Sequence, residues 1–109
     1  MKNLYEKEYE IKGRRLVYYL PKELDQHMAQ NLCRELDMLI EAFGISILEL
    51  DFIKTEFMDS SGIGVILGRS KTMQFRDGSI VASHMNDRLM RIFKAAGLQR
   101  VVEIKEEKE

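Results

Sequence analysis

From Leu16 onward, short apolar runs alternate with longer segments in which apolar residues recur every three or four positions. "LVYYL" (Leu16 to Leu20), "ISILELDFI" (Ile45 to Ile53), "DGSIVAS" after its turn, and "RVVEI" (Arg100 to Ile104) have the length and side-chain types of strands. Between the first two, Met28, Leu32, Leu36, Leu39, Ile40 and Phe43 form one stripe of an amphipathic helix, with Asp25 as N-cap and Gly44 as its stop. A second helix is predicted from about Ser60 to Met73, and a third over "NDRLMRIFKAAGL". The third is capped by Asn86 and stopped at Gly97, with Leu89, Ile92, Phe93 and Ala96 inward. Ahead of all this, Leu4 to Ile11 carries a weak strand pattern, and "KGRR" turns it into Leu16 to Leu20 as a hairpin that Pro21 ends.

The order is therefore β-β-α-β-α-β-α-β. Strands alternating with helices demand a mixed, mostly parallel sheet, here of about four to five strands with about three helices. Residues 1–104 read as one α/β domain and 105–109 as a charged tail.

Composition narrows the function. Lys and Arg number 17 against 18 Asp and Glu, and no basic run exceeds two residues, so a direct nucleic-acid binder is not expected. The lone cysteine, Cys33, cannot form an internal disulfide, which suits the cytoplasm. "MKNLYEKEYEIKG" is charged throughout, unlike a signal or transit peptide, and no apolar run approaches a membrane span. The seven methionines read as core fillers, with Met58 as an alternative partner contact.

The chemistry concentrates in "FMDSSGIGVILGR", Phe57 to Arg69. As a nucleotide loop it fails on spacing. Gly68-Arg69-Ser70 lacks the lysine and the upstream glycine of a P-loop, and the third glycine of a dinucleotide fingerprint falls one place late, at Gly68. As a nucleophile site it lacks the G-x-S-x-G elbow, and only His27 and His84 are available as a base. No paired carboxylates or metal set accompany it, so no enzyme, cofactor or metal is expected. Two readings remain open. Asp-Ser-Ser is good capping chemistry for a helix whose glycines, Gly62, Gly64 and Gly68, lie close to one side and let it pack tightly. Alternatively a serine in the first turn receives a phosphate, which free N–H groups and the helix dipole accommodate while the added charge, beside Asp59 and near Glu23 and Asp25, alters docking.

The same stretch closely resembles the signature of the STAS domain family, and within it the bacterial anti-sigma factor antagonists of sporulation and stress response. "LPKELDQHMAQNL" (Leu20 to Leu32) is similar to the family segment that leads into the first helix, and "RLMRIFKAAGL" (Arg88 to Leu98) to its later helix ending in Gly-Leu. The resemblance covers nearly the whole chain. It implies a protein that binds an anti-sigma factor serine kinase, releases a sigma factor, and is switched off when the kinase phosphorylates Ser60. A PP2C-type, metal-dependent phosphatase would restore it. It further implies that Asp59 positions the serine and contacts the kinase, that Ser61 supports the cap, that Gly62 and Gly64 admit the partner, and that Asp25 lies across the loop rim, these residues and Met58 together forming the partner-binding set. Lys22 stands where the family commonly has glycine, implying a differently shaped loop, and the chain stops where many members add a last helix. The alternatives are a STAS scaffold or sensory-complex component without a phosphoswitch, and a small-ligand or nucleotide-binding STAS domain.

Overall fold

The computed structural model describes residues 7–105. Strand β1 (Tyr9–Lys12) turns through Gly13, at φ 61°, into β2 (Arg15–Tyr19). Positive φ is what a two-residue hairpin turn asks for, and glycine supplies it without steric cost. A two-residue strand β3 (Glu23–Leu24) precedes helix α1 (Gln26–Ala42), and β4 (Ile47–Asp51) follows. Next come a second short strand, β5 (Phe57–Met58), helix α2 (Ser60–Phe75) and β6 (Ser79–Ser83). Helix α3 (Asp87–Ala95), a 3-10 turn at Leu98–Arg100 and β7 (Glu103–Lys105) complete the described chain.

The main sheet has five strands in the order β1-β2-β4-β6-β7, antiparallel only at β1. Each crossover steps the same way across the sheet, so right-handed connections place the helices on one face. The register bears this out. Leu16, Leu48 and Ile80 form one row and Tyr18, Leu50, Ala82 and Ile104 another, and these rows belong to the hydrophobic core with the inward residues of the helices. Tyr18 crosses to the helix layer and donates a 2.6 Å hydrogen bond to Glu35 of α1. Burial, reinforced by that bond to a carboxylate, raises the Tyr18 hydroxyl well above its ordinary pKa.

The opposite face carries the alternate residues, among them Arg15, Glu49 and Ser83. Glu49 is 4% exposed in the middle of this face, receives hydrogen bonds from Arg15 and from the Ser83 hydroxyl (2.7 Å), and lies 3.9 Å from Lys105. Burial alone would push its carboxyl up; the two hydrogen bonds and the Lys105 charge outweigh it and hold the carboxyl below its ordinary range.

Several sequence expectations need correction. The final strand begins at Glu103, because Leu98–Arg100 forms a 3-10 turn after Gly97 at φ 76°. Lys105 pairs with Ser83 inside the sheet, leaving residues 106–109 of the expected tail, like Leu4 to Glu6 of the first expected strand, outside the described residues. Ala96 and Phe43 are exposed, since each ends a helix beyond its last packed turn. Met28 and Met38 also face outward, 39% and 61% exposed, so methionine is a core filler only at positions such as Met58 and Met73.

Candidate functional site

Two short strands build the site. β3 and β5 pair in parallel, Glu23 opposite Phe57 and Leu24 opposite Met58. Leu24 and Met58 turn into the core at 0% and 3% exposure, while Glu23 and Phe57 turn out. The pairing continues through the Asp59 N–H, which donates to the Leu24 carbonyl at 3.3 Å. It begins at Lys22, whose carbonyl accepts from the N–H groups of Glu56 and Phe57 and whose ammonium lies 3.3 Å from the Glu56 carboxylate.

Each strand ends in an aspartate that caps a helix. Asp25, extended at φ -121°, accepts from the N–H groups of His27 and Met28. Asp59, extended at φ -107°, accepts from Ser61 (2.8 Å) and Gly62 (3.3 Å). The strand pairing thus sets the first turns of α1 and α2 side by side, with their positive dipole ends at one rim and each already answered by a carboxylate.

Ser60 is the first residue of α2 and is exposed. No described residue hydrogen-bonds its hydroxyl, whereas the neighbouring Ser61 is half-buried with its N–H tied to Asp59. Gly64 stands one turn further along, exposed, with nothing within 4 Å of where a side chain would begin.

Two residues expected to contact a partner are buried. Met58 is a core residue, because its strand alternates and its neighbour Phe57 takes the outer position at 41% exposure. Gly62 is buried, and a Cβ there would meet the Leu24 carbonyl at 2.5 Å, so the space it leaves serves the chain's own helix-to-strand packing. The three glycines of α2 therefore divide between faces: Gly62 packs inward, while Gly64 and Gly68 have open space. Phe57 was not singled out from the sequence; its signal lay in the alternation of "FM", visible only once β5 is seen as a strand.

His84, weighed above as a base for a serine, stands beside Asp51. It follows β6 at φ 59°, and its Nδ1 lies 3.1 Å from both carboxylate oxygens of the buried Asp51. Among the described residues no three His, Cys, Asp or Glu side chains are grouped to hold a metal ion, and no helix is long and apolar enough to cross a membrane.

A five-stranded sheet with one antiparallel edge, a helix layer and an Asp-Ser-Ser helix start with Ser60 exposed define a class, and sequence comparison agrees: residues 6–109 match the STAS domain. The chain belongs to the STAS domain family. It is 32% identical over 87 residues to the anti-sigma-B factor antagonist of Listeria monocytogenes, covering 80% of this chain and 75% of that protein. The structure of the anti-sigma factor antagonist SpoIIAA in its unphosphorylated form shares the fold at a TM-score of 0.79 and 24% identity, over 91% of this chain and 87% of that one. The phosphorylated form of Bacillus SpoIIAA aligns at a TM-score of 0.71 and 24% identity, over 91% and 90% of the two chains.

Proposed function

We propose that this protein is an anti-sigma factor antagonist whose phosphoacceptor is Ser60. It docks onto an anti-sigma factor that is also a serine kinase, displaces the sigma factor, and is released when Ser60 is phosphorylated; a PP2C-type phosphatase returns it to the binding form. The reading assigns it no catalysis, cofactor, membrane contact or nucleic-acid contact of its own, and a cytoplasmic site of action.

The observation that carries this reading is the exposed Ser60 hydroxyl at the first position of α2, beside a carboxylate that already caps the helix. A kinase must bring nucleotide phosphates to that hydroxyl. Once phosphorylated, the serine holds about two negative charges at neutral pH, next to Asp59 and facing the spent nucleotide. Repulsion then acts where the partner sits, without asking the fold to change. The proposed contact surface comprises Asp25, Asp59, Ser60, Ser61 and Gly64, with Met58 and Gly62 supporting it from below.

The test is mass spectrometry after incubation with ATP and the serine-kinase anti-sigma factor of the same genome. One phosphate mapped to Ser60, absent from Ser60→Ala, is the expected result. No phosphate from a kinase active on another substrate would overturn the switch.

A further inference from the structure

Beside Ser60 lies a rigid apolar knob next to an acidic depression. Phe57 is 41% exposed, yet its strand is fixed from behind by Met58 and Leu24, at 3% and 0% exposure, and by the pairing of Phe57 with Glu23. The ring cannot turn inward without breaking that pairing. A rigid aromatic side chain loses little freedom on binding, which is why such groups anchor interfaces.

Across β3 the surface dips into a shallow depression of about 420 Å³, lined by Pro21, Lys22, Glu23, Asp25, His27 and Met28. Pro21 and Met28 give it apolar walls. Of its charged and titratable lining, Lys22 has its ammonium 3.3 Å from the Glu56 carboxylate, Asp25 is engaged in capping α1, and His27 stands at the first turn of that helix. Glu23 is exposed, and among the described residues no cation is paired with it. Apolar walls with one unanswered carboxylate suit a lysine or arginine, whose stem covers carbon while its head reaches the acid.

We propose that the partner grips this chain through two contacts beside the phosphoacceptor: a pocket that takes the Phe57 ring, and a lysine or arginine that lies in the depression with its charge on Glu23. This rests on the reading of the partner as a serine-kinase anti-sigma factor. The two charge effects occupy different places. The kinase nucleotide faces Ser60 and is repelled by its phosphate, while the cation contacts Glu23 and steers docking.

Calorimetric titration of the nucleotide-bound serine-kinase anti-sigma factor of the same genome tests it. Phe57→Ala should bind about 10- to 100-fold more weakly. Glu23→Lys, which removes no packing, should bind about 10-fold more weakly and lose much of the salt dependence of affinity. Phe75→Ala, at the far end of α2 and 91% exposed in the parent chain, should bind like wild type. Both rim variants binding within about two-fold of wild type would overturn the proposal while leaving the phosphoswitch intact. Sedimentation showing a wild-type dimer that Phe57→Ala abolishes would overturn it in favour of a second copy as occupant. Wild type that neither binds the kinase nor accepts phosphate removes the functional reading itself, and this proposal with it.

Discussion

Leu24 and Gly62 meet where no side chain fits: a Cβ on Gly62 would lie 2.5 Å from the Leu24 carbonyl oxygen and 2.8 Å from Leu24 Cγ. The same carbonyl accepts the Asp59 N–H at 3.3 Å. One backbone oxygen thus holds β3 to the residue that caps α2 while α2 packs against it. Gly62→Ala must push β3 away and loosen the rim that presents Ser60. The expected cost is about 1–3 kcal/mol, the range for overpacking a filled site. For a domain of this size that lowers Tm by about 4–8 °C per kcal/mol. An unchanged Tm would mean that β3 yields freely.

Gly64 should behave in the opposite sense. It lies inside α2 with nothing within 4 Å of a built Cβ, so alanine there removes backbone freedom from the unfolded chain without a clash. Gly64→Ala should stabilise by about 0.5–1 kcal/mol. If the proposed contact surface includes Gly64, the added methyl one turn from Ser60 should also weaken kinase binding. Gly68→Ala, equally open and further along the helix, should stabilise without that loss. Urea unfolding beside binding titrations separates the two effects, and parallel behaviour of the two variants in both assays would remove Gly64 from the interface.

These glycines show how far the sequence could be read. The caps Asp25 and Asn86 and the alternation of strands and helices were legible because each is a local signal with its own chemistry, whereas at α2 capping support was expected from Ser61 and the cap is Asp59, to which Ser61 donates its N–H. The β3–β5 pair was not: two residues carry no periodicity, and "KTEFMD" looks like a loop until Leu24 is found opposite Met58. The burial of Met58 and Gly62 was hidden by that omission. Without β5, nothing shows that Met58 turns inward and Phe57 outward; without β3, nothing shows that Gly62 faces the chain's own carbonyl. The 3-10 turn at Leu98–Arg100 was hidden for a similar reason, since one turn leaves no repeat to detect.

Capping and charge at Asp59 can be separated. Its carboxylate accepts two N–H groups, and Asp59→Ala should cost about 1 kcal/mol by leaving them unanswered. Asp59→Asn keeps an acceptor and should hold Tm close to wild type. If Asp59 also supplies charge to the switch, Asn should blunt the loss of binding caused by phosphorylation while the fold stays intact. Equal loss of binding on phosphorylation in wild type and Asp59→Asn would confine Asp59 to capping.

Ser60→Asp tests the switch without a kinase. The side chain is exposed and an acidic residue is welcome at the start of a helix, so thermal stability should change little. Binding to the anti-sigma factor should fall clearly, while Ser60→Ala should bind and resist phosphorylation. Equal affinity for wild type and Ser60→Asp would mean that charge at this position is not what the partner rejects.

Glu49 supplies a prediction about pH that is independent of any partner. Its carboxyl is held below the ordinary glutamate value in the folded chain: burial opposes ionisation, but Arg15, Ser83 and Lys105 together prevail. A depressed folded value means that the ionised form is bound more strongly by the native state. The stabilisation is therefore present above the unfolded value near 4.5 and drains away as pH falls through the lower folded one. Glu49→Gln keeps the shape but not the charge, and leaves Arg15 and Lys105 across the central strands without their shared counter-charge. At pH 7 it should be less stable than wild type by about 1–3 kcal/mol, the scale of hydrogen bonds to a charged group. Below pH 4.5 the difference should begin to shrink, and it should close once pH falls past the lower folded value, because protonation makes wild type resemble the variant. Half-buried Glu10, also held low by its hydrogen bonds from Lys7 and Tyr19, titrates alike in both and cancels from the difference. Urea unfolding in steps from pH 7 downward measures it, and curves that stay parallel to the acid limit would show that Glu49 is held by packing rather than by its charge.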